Sequence, residues 1–587
     1  MRPTRSLLDR RFTLLGSALL AVVLTLPALR AGLVGDDYFH RMVLLGRGDW
    51  GARPNPTFDL FSFVRESERA MMMQVGVLPW WCDPNLRIAL ARPLSALTHR
   101  ADYALWPDSF ALQHLHSLLW FGLGVGLVAA LYRRTHGVTA AAGLAALFFA
   151  VEDAHAWPAA WVANRNALVC LACGTTVILL HLAWHRSRKR SHLLAALAAL
   201  AVGLGCGEAT LGALAYVAAW QVTEKRESWV ARLAPLAPYG VVVVIWRVLY
   251  ERAGYGTLNS TLYVDPVSDP LRFLAALAER WPLMVAAQWL QAPVDLWLML
   301  PRGQQVAAAV IAAAVAAGLL ALVWELLHKE RLARFWLLGM GLSLIPPCAA
   351  FPMDRLLVFS GIGAFGAMAL LLRDVGAWPW QTREGRGWRR RTALVLLGLH
   401  VPVAAVLLVG GTAMLPDFGQ FFAIGARQSP TGPELANQTL VFVNGNDFPV
   451  IYTWVIRKAE GLASVPRRVA QLSSVTTPSV VYREDPQTLL ITPQAGFLAH
   501  PIDRLLASPR RSFVEGEQIE RPDYVAEIRS LTADGRPRQV AFRFRRTLED
   551  PAYRWLHWKS GTLLELRLPR VGESVTVEKG RLFGSLP

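Results

Sequence analysis

Charge is what this chain is short of. Only 18% of its 587 residues are Asp, Glu, Lys or Arg, while 53% are hydrophobic. That balance is too apolar for an ordinary soluble protein and suits a polytopic helical membrane protein. Acid is the scarcer sign, with 43 Asp and Glu against 60 Lys and Arg and a net charge of +17. The surplus of base does not gather on one face or tail, as nucleic-acid binding would require, so no nucleic-acid partner is expected. It falls in short clusters between apolar runs, the pattern of cytoplasmic loops. Cysteine is equally sparse. Cys82, Cys170, Cys173, Cys206 and Cys348 are too few, and in too apolar a context, for a disulfide framework. The CxxC spacing of Cys170 and Cys173 lies inside an apolar run with no second pair, which points to helix packing rather than metal or redox chemistry.

Long apolar runs are what the chain has instead. The first, Phe12 to Val34, follows Arg2, Arg5, Arg10 and Arg11 and is long enough to cross a bilayer core of ~30 Å. Leu29-Arg30-Ala31 is a poor cleavage site, so the run reads as a retained helix with a cytoplasmic N-terminus. Further runs near residues 112–132, 138–151, 159–184, 193–206, 209–222, 233–250, 305–327, 335–350, 356–372 and 392–415 give about eleven spans in a transmembrane domain covering residues 1–415. On this topology Arg133-Arg134, Arg186 to Arg190, Lys225 to Arg232, Lys329 to Arg334 and Arg373 to Arg391 all fall inside. Two large loops, 35–110 and 251–304, fall outside. Within the first, Phe58 to Met73 has apolar positions near helical spacing and predicts an interfacial helix. Residues 271–300, with Trp281, Trp289 and Trp297 but also Pro282 and Pro293, read as an interfacial helix set or a re-entrant segment.

After Leu415 the long apolar runs stop. Short alternating or β-branched stretches such as Thr439 to Val443 and Gln539 to Phe544 follow, separated by turn signals such as Asn444-Gly445-Asn446-Asp447. Residues 416–587 therefore read as a β-rich, non-cytoplasmic soluble domain. Its Asp447, His500, Asp503 and His557 lack ligand or triad spacing and read as surface or turn residues. Trp555 and Trp558 fit sugar stacking or core equally.

Several polar residues collect on the outer face of this topology. Asp36 and Asp37 directly follow the first span, where two adjacent carboxylates are costly near lipid and suit chemistry at the membrane surface. His155 and Arg165 flank the start of one span, Glu208 opens another, and Arg355 precedes a late one. For Arg165, pairing with Glu152 or Asp153 and contact with a substrate are equally open.

Ala91-Arg92-Pro93-Leu94-Ser95-Ala96-Leu97, Asp102 to Trp106, His114-Leu115 and Met353-Asp354-Arg355-Leu356-Leu357 resemble motifs of the GT-C superfamily of polyprenyl-phosphate-sugar-dependent glycosyltransferases. The nearest branch is the protein O-mannosyltransferases with tetratricopeptide repeats. In that branch too an acidic pair follows the first helix, and a His with an Arg ten residues on opens a later one. The resemblance covers roughly residues 12–373. It departs at Ser117, where an Asn is usual, at Trp157, where an acid is common, and in having no tetratricopeptide repeat after it.

The resemblance implies a GT-C-like helical membrane domain and a hexosyl- or mannosyltransferase-like reaction with inversion. The donor would be a polyprenyl-phosphate sugar, and the acceptor a hydroxyl of a protein, glycan or lipid. Asp36 or Asp37 would be the general base, and Arg92, His114, His155, Arg165, Glu208 and Arg355 would contact substrate. A divalent metal on Asp36 and Asp37 would follow the oligosaccharyltransferase branch. The nearer branch implies no metal, and no cofactor is expected. The rival class is a non-catalytic lipid-linked saccharide flippase or a cell-envelope scaffold. It would line a path through the bilayer with charge, whereas these polar residues cluster at one face.

Overall fold

The computed structural model describes residues 13–48, 58–224, 228–377 and 387–580. The N-terminal Arg2 to Arg11, together with parts of the basic clusters 225–232 and 373–391, lies outside the described residues. The chain forms two compact units: Met1–Gly32, Leu90–Tyr255 and Val264–Leu415 make the first, and Leu33–Ala89, Gly256–Tyr263 and Pro416–Pro587 the second.

The first unit is helical. Among the described residues of the chain seven helical stretches are long and apolar enough to cross a membrane: Thr13–Arg30, Phe110–His136, Val162–Ser187, Trp229–Arg252, Arg302–Lys329, Arg331–Ala349 and Trp388–Gln428, the last running past Leu415 into the residues of the second unit. Ala140–Val151 and Arg190–Cys206 are shorter apolar helices. Arg133, Arg134, Arg186, Lys329 and Arg373 sit in the last turns of their helices, where positive charge complements the helix dipole. Close packing depends on small residues. A Cβ at Gly363 would lie 2.3 Å from the Trp336 carbonyl oxygen, so the helices Arg331–Ser343 and Val358–Asp374 approach at a distance only glycine permits. The open reading of residues 271–300 resolves into one helix, Pro270–Leu290, which contains Pro282, followed by a 3₁₀ turn over Val294–Met299.

Among its described residues the second unit holds three sheets. Ser62–Val64, Arg87–Ala89 and Gly256–Leu258 form a small antiparallel one. The expected interfacial helix over Phe58 to Met73 is thus a strand, then an extended Arg65, then a helix over Glu66–Val75. The β-prone Ser62-Phe63-Val64 finds a strand partner instead of continuing the helical spacing. A six-stranded antiparallel sheet runs in the order Ser574–Val577, Ser479–Arg483, Thr488–Pro493, Pro537–Phe544, Tyr524–Leu531, Gln518–Glu520. The third sheet is mostly parallel: Thr439–Gly445 lies between Tyr553–Lys559 and Arg468–Ser474, with the helix Asp447–Glu460 as its crossover.

The stretch Leu33–Ala89 clusters with Gly256–Tyr263 and Pro416–Pro587. Trp80 and Trp81 are the physical reason. Both are fully buried in one core with Val441, Leu472, Phe497 and Phe542, and the Trp80 indole donates to the Leu472 carbonyl at 3.0 Å. Trp555 and Trp558 are core residues of the same unit, with the Trp555 indole donating to the Leu548 carbonyl. Asp447 and Asp503, read as surface or turn residues, are buried. Asp503 accepts from Ser474 and Thr476, Asp447 accepts from Gln471, and burial raises both carboxyls above the ordinary range.

Candidate functional site

In the second unit the acidic pair begins the helix Asp36–Leu44, with Gly35 before it at φ +49°. A Cβ at Gly35 would meet the Phe422 ring at 3.4 Å, so glycine serves both the left-handed turn and the close approach. The turn separates the two carboxylates. Asp37 is 2% exposed, and its Oδ2 accepts from the Val34 backbone N–H at 2.9 Å, closing the turn on itself. Asp36 is half-buried, and its Oδ1 accepts from the Tyr452 hydroxyl at 2.5 Å. Burial and the neighbouring Asp36 hold the Tyr452 phenol well above its ordinary pKa, so it stays a donor. Asp37 is built into the backbone and Asp36 is oriented by a side chain, which makes Asp36 the better placed acid/base group. Tyr452 has no signal in the sequence, since it lies in a helix 416 residues away.

In the first unit the expected cations fall into different environments. Arg165 is fully buried and forms an ion pair with Asp102, also fully buried, at 2.5 Å. Its Nε donates to the Ser117 hydroxyl, its Nη2 to the Gln113 carbonyl, and its Nη1 to the Thr98 carbonyl. His116 Nε2 accepts from the Trp120 indole, and His116 Nδ1 lies 2.7 Å from the other oxygen of Asp102 and 3.2 Å from Arg165 Nη1. Arg165 therefore pairs with Asp102 and not with Glu152 or Asp153. The Ser117 that departs from the family pattern supplies one of its acceptors.

Arg92 caps the helix Pro93–Leu105 and donates to Glu208 at 3.0 Å, and Glu208 also accepts from the Tyr250 hydroxyl. His114 is buried against the Gly32 carbonyl at 2.8 Å. His155 is buried against the rings of Phe121 and Phe149, and burial pushes its pKa down to about 3, so it is neutral and packed.

Arg355 differs from Arg92 and Arg165. It is half-buried, 5.3 Å from the centroid of the Trp161 ring, and donates to the Asn164 side-chain oxygen at 3.4 Å and to the Met353 sulfur at 3.2 Å. No carboxylate pairs with it among the described residues. Its neighbours form an acid-rich corner that sequence reasoning did not assemble, because the 3₁₀ turn Asp153–His155 packs on the turn Asp354–Leu356. Glu152 is 2% exposed and accepts from Gln288, and Asp153 accepts from Gln291 one turn further along the same helix. Burial and the Glu152 carboxylate push Asp153 up to about 7. Burial and the adjacent Asp295 push Asp354 well above the carboxylate range, so the corner carries less negative charge than its four acids suggest. No group of three or more His, Cys, Asp or Glu among the described residues is arranged to hold a metal ion.

No family model and no curated protein matches the chain. Solved structures similar to it include the archaeal oligosaccharyltransferase AglB from Archaeoglobus fulgidus in complex with an inhibitory peptide and a dolichol-phosphate. That likeness has 10% identity over 79% of this chain and 65% of that one, with a TM-score of 0.39. The oligosaccharyltransferase of the same organism in complex with Zn and sulfate matches at 13% identity over 79% of this chain and 62% of that one, with a TM-score of 0.37. The chain thus spans less than two thirds of the length of these proteins, and a likeness of this degree identifies neither a reaction nor a substrate.

Proposed function

We propose that this chain is a membrane glycosyltransferase of the GT-C kind, moving a sugar from a polyprenyl-phosphate donor to a hydroxyl acceptor at the outer membrane face. The observation that carries the reading is Arg355: a half-buried guanidinium beside an aromatic ring, in the membrane-spanning unit, with no carboxylate paired to it among the described residues. Such a cation suits a lipid-anchored phosphate, whose charge grows as the glycosidic bond to it breaks. The general base is Asp36, held by Tyr452. The acceptor oxygen forms its bond to the anomeric carbon as the bond from that carbon to the phosphate oxygen breaks. The bonding electrons leave with the phosphate, and the acceptor proton goes to Asp36. A single displacement of this kind inverts the anomeric centre. Arg165 and Asp37 support the structure. The basic clusters between apolar runs support a cytoplasmic N-terminus and a C-terminal unit on the outside.

The test is to incubate the purified protein with individual polyprenyl-phosphate sugars and follow which is consumed. Consumption of one donor, lost in Asp36→Asn, is the expected result. Folded protein that consumes none would overturn the reading in favour of a flippase or scaffold. A reporter fused after Pro587 that proves cytoplasmic would overturn the topology.

A further inference from the structure

His400 is the one ionisable residue of the run 392–415, and it is fully buried. An ionisable residue inside such a run is expensive and calls for a partner. The helix widens to π-helical geometry over Leu399–Val403, a segment that also contains Pro402. Both ring nitrogens are engaged. Nε2 faces the Trp289 carbonyl oxygen at 3.0 Å, and Nδ1 faces Glu152 Oε2 at 3.3 Å. A carbonyl oxygen only accepts, so Nε2 carries a proton. A second proton must lie between Nδ1 and Glu152, because a bare nitrogen lone pair against a carboxylate oxygen would be repulsive. Whether that proton is drawn on the ring or on the carboxyl, the pair has no net charge. The other oxygen of Glu152 accepts from Gln288, whose own carbonyl oxygen accepts from the Ser360 hydroxyl at 2.6 Å. Glu152 is thereby tied to three other elements, and Asp153, next along the chain, sits on the turn that packs against Arg355.

We propose that His400 is a positioning residue that neutralises and orients Glu152, and so keeps the surroundings of Arg355 positive enough to hold a lipid phosphate. The inference rests on the reading above. Without His400, Glu152 loses the partner that balances it, and like-charge repulsion towards a phosphate at Arg355 weakens binding.

The experiment measures the affinity of the full chain in detergent for geranylgeranyl phosphate in wild type, His400→Gln, Glu152→Gln and the double variant, with the thermal midpoint of each as the check on folding. His400→Gln should lose about tenfold in affinity. Glu152→Gln should stay near wild type, and the double variant should return to the level of Glu152→Gln, because two neutral amides again carry no charge. A purely structural histidine would not be rescued by removing its partner's charge. Unchanged affinity in His400→Gln, or a double variant as weak as that single one, would overturn the inference. If His400→Gln does not fold, recovery of folded, lipid-binding protein in the double variant supports the inference and failure of both overturns it. A folded wild type that binds no polyprenyl phosphate would instead overturn the functional reading itself, an outcome separable from every other.

Discussion

Arg165 and Arg355 are both cations of the helical unit, and their surroundings are opposite. Arg165 is enclosed by the carboxylate of Asp102, the Ser117 hydroxyl and two backbone carbonyls. Arg355 has an amide oxygen, a thioether and an indole face. A buried guanidinium with every donor engaged and its charge neutralised is a fastener, and removing it leaves an isolated buried carboxylate. A half-buried one whose charge no acid balances keeps its attraction for an anion. The same contrast divides the acidic pair, where Asp37 closes its own turn and Asp36 leans on a phenol.

The sharpest way to break the second contrast is to amidate each acid. Asp36→Asn should fold normally and lower kcat by about 10²–10⁴, the range for loss of a general base. Asp37→Asn, if folded, should retain most of its turnover. Equal losses, read from initial rates of donor consumption, would remove the distinction.

For the two arginines the expected effects differ in kind. Arg165→Ala should destabilise the folded chain by about 3–5 kcal/mol, the range for breaking a buried pair, seen as loss of folded material in detergent at the temperature where wild type persists. Arg355→Ala should keep its thermal midpoint and lose about tenfold to a hundredfold in donor affinity, one charge-assisted contact being worth about 1.5–3 kcal/mol. Donor affinity that survives Arg355→Ala would make it another fastener.

A pH experiment tests the buried carboxyls of the second unit. Burial raises Asp447, so between the ordinary Asp pKa near ~4 and its raised folded value the folded state holds a proton the unfolded chain has lost. Stability then falls as pH rises across that window, by at most about 1.4 kcal/mol per unit for one proton. Asp447→Asn keeps an acceptor for Gln471 and should flatten this fall, read from thermal midpoints between pH 4.5 and 8. An unaltered slope would show that Asp447 does not titrate there.

The smallest effect belongs to Arg92 and Glu208, a half-exposed pair whose side chains are 21% and 25% accessible. Glu208→Gln should change stability by about 0–1 kcal/mol. A larger loss of donor binding in that variant would move the pair from the frame to the site.

Much of the organisation is visible in the order of residues. Apolar runs of membrane length and the basic clusters between them follow from what a bilayer excludes, and the helices form where those runs stand. The change near Leu415 from long apolar runs to shorter, strand-like stretches is equally plain in the sequence. The candidate site was legible only in part. Asp36, Asp37, Arg165 and Arg355 stand out as ions at the ends of apolar runs, and His400 could have been found by the same rule, being the one ionisable residue within its run.

What an ion faces is a different matter, because partners are fixed by tertiary contact between residues far apart in the chain. The sequence by itself determined that the chain has membrane-length helices, a β-rich C-terminal region and rare ions at the ends of its apolar runs, since hydropathy and periodicity are local properties. Only the tertiary structure decided that Asp102 neutralises Arg165, that Tyr452 reaches Asp36 across 416 residues of sequence, and that Arg355 forms no ion pair among the described residues. Burial and pairing, not residue type, set whether a charge holds the fold together or stays available for a ligand.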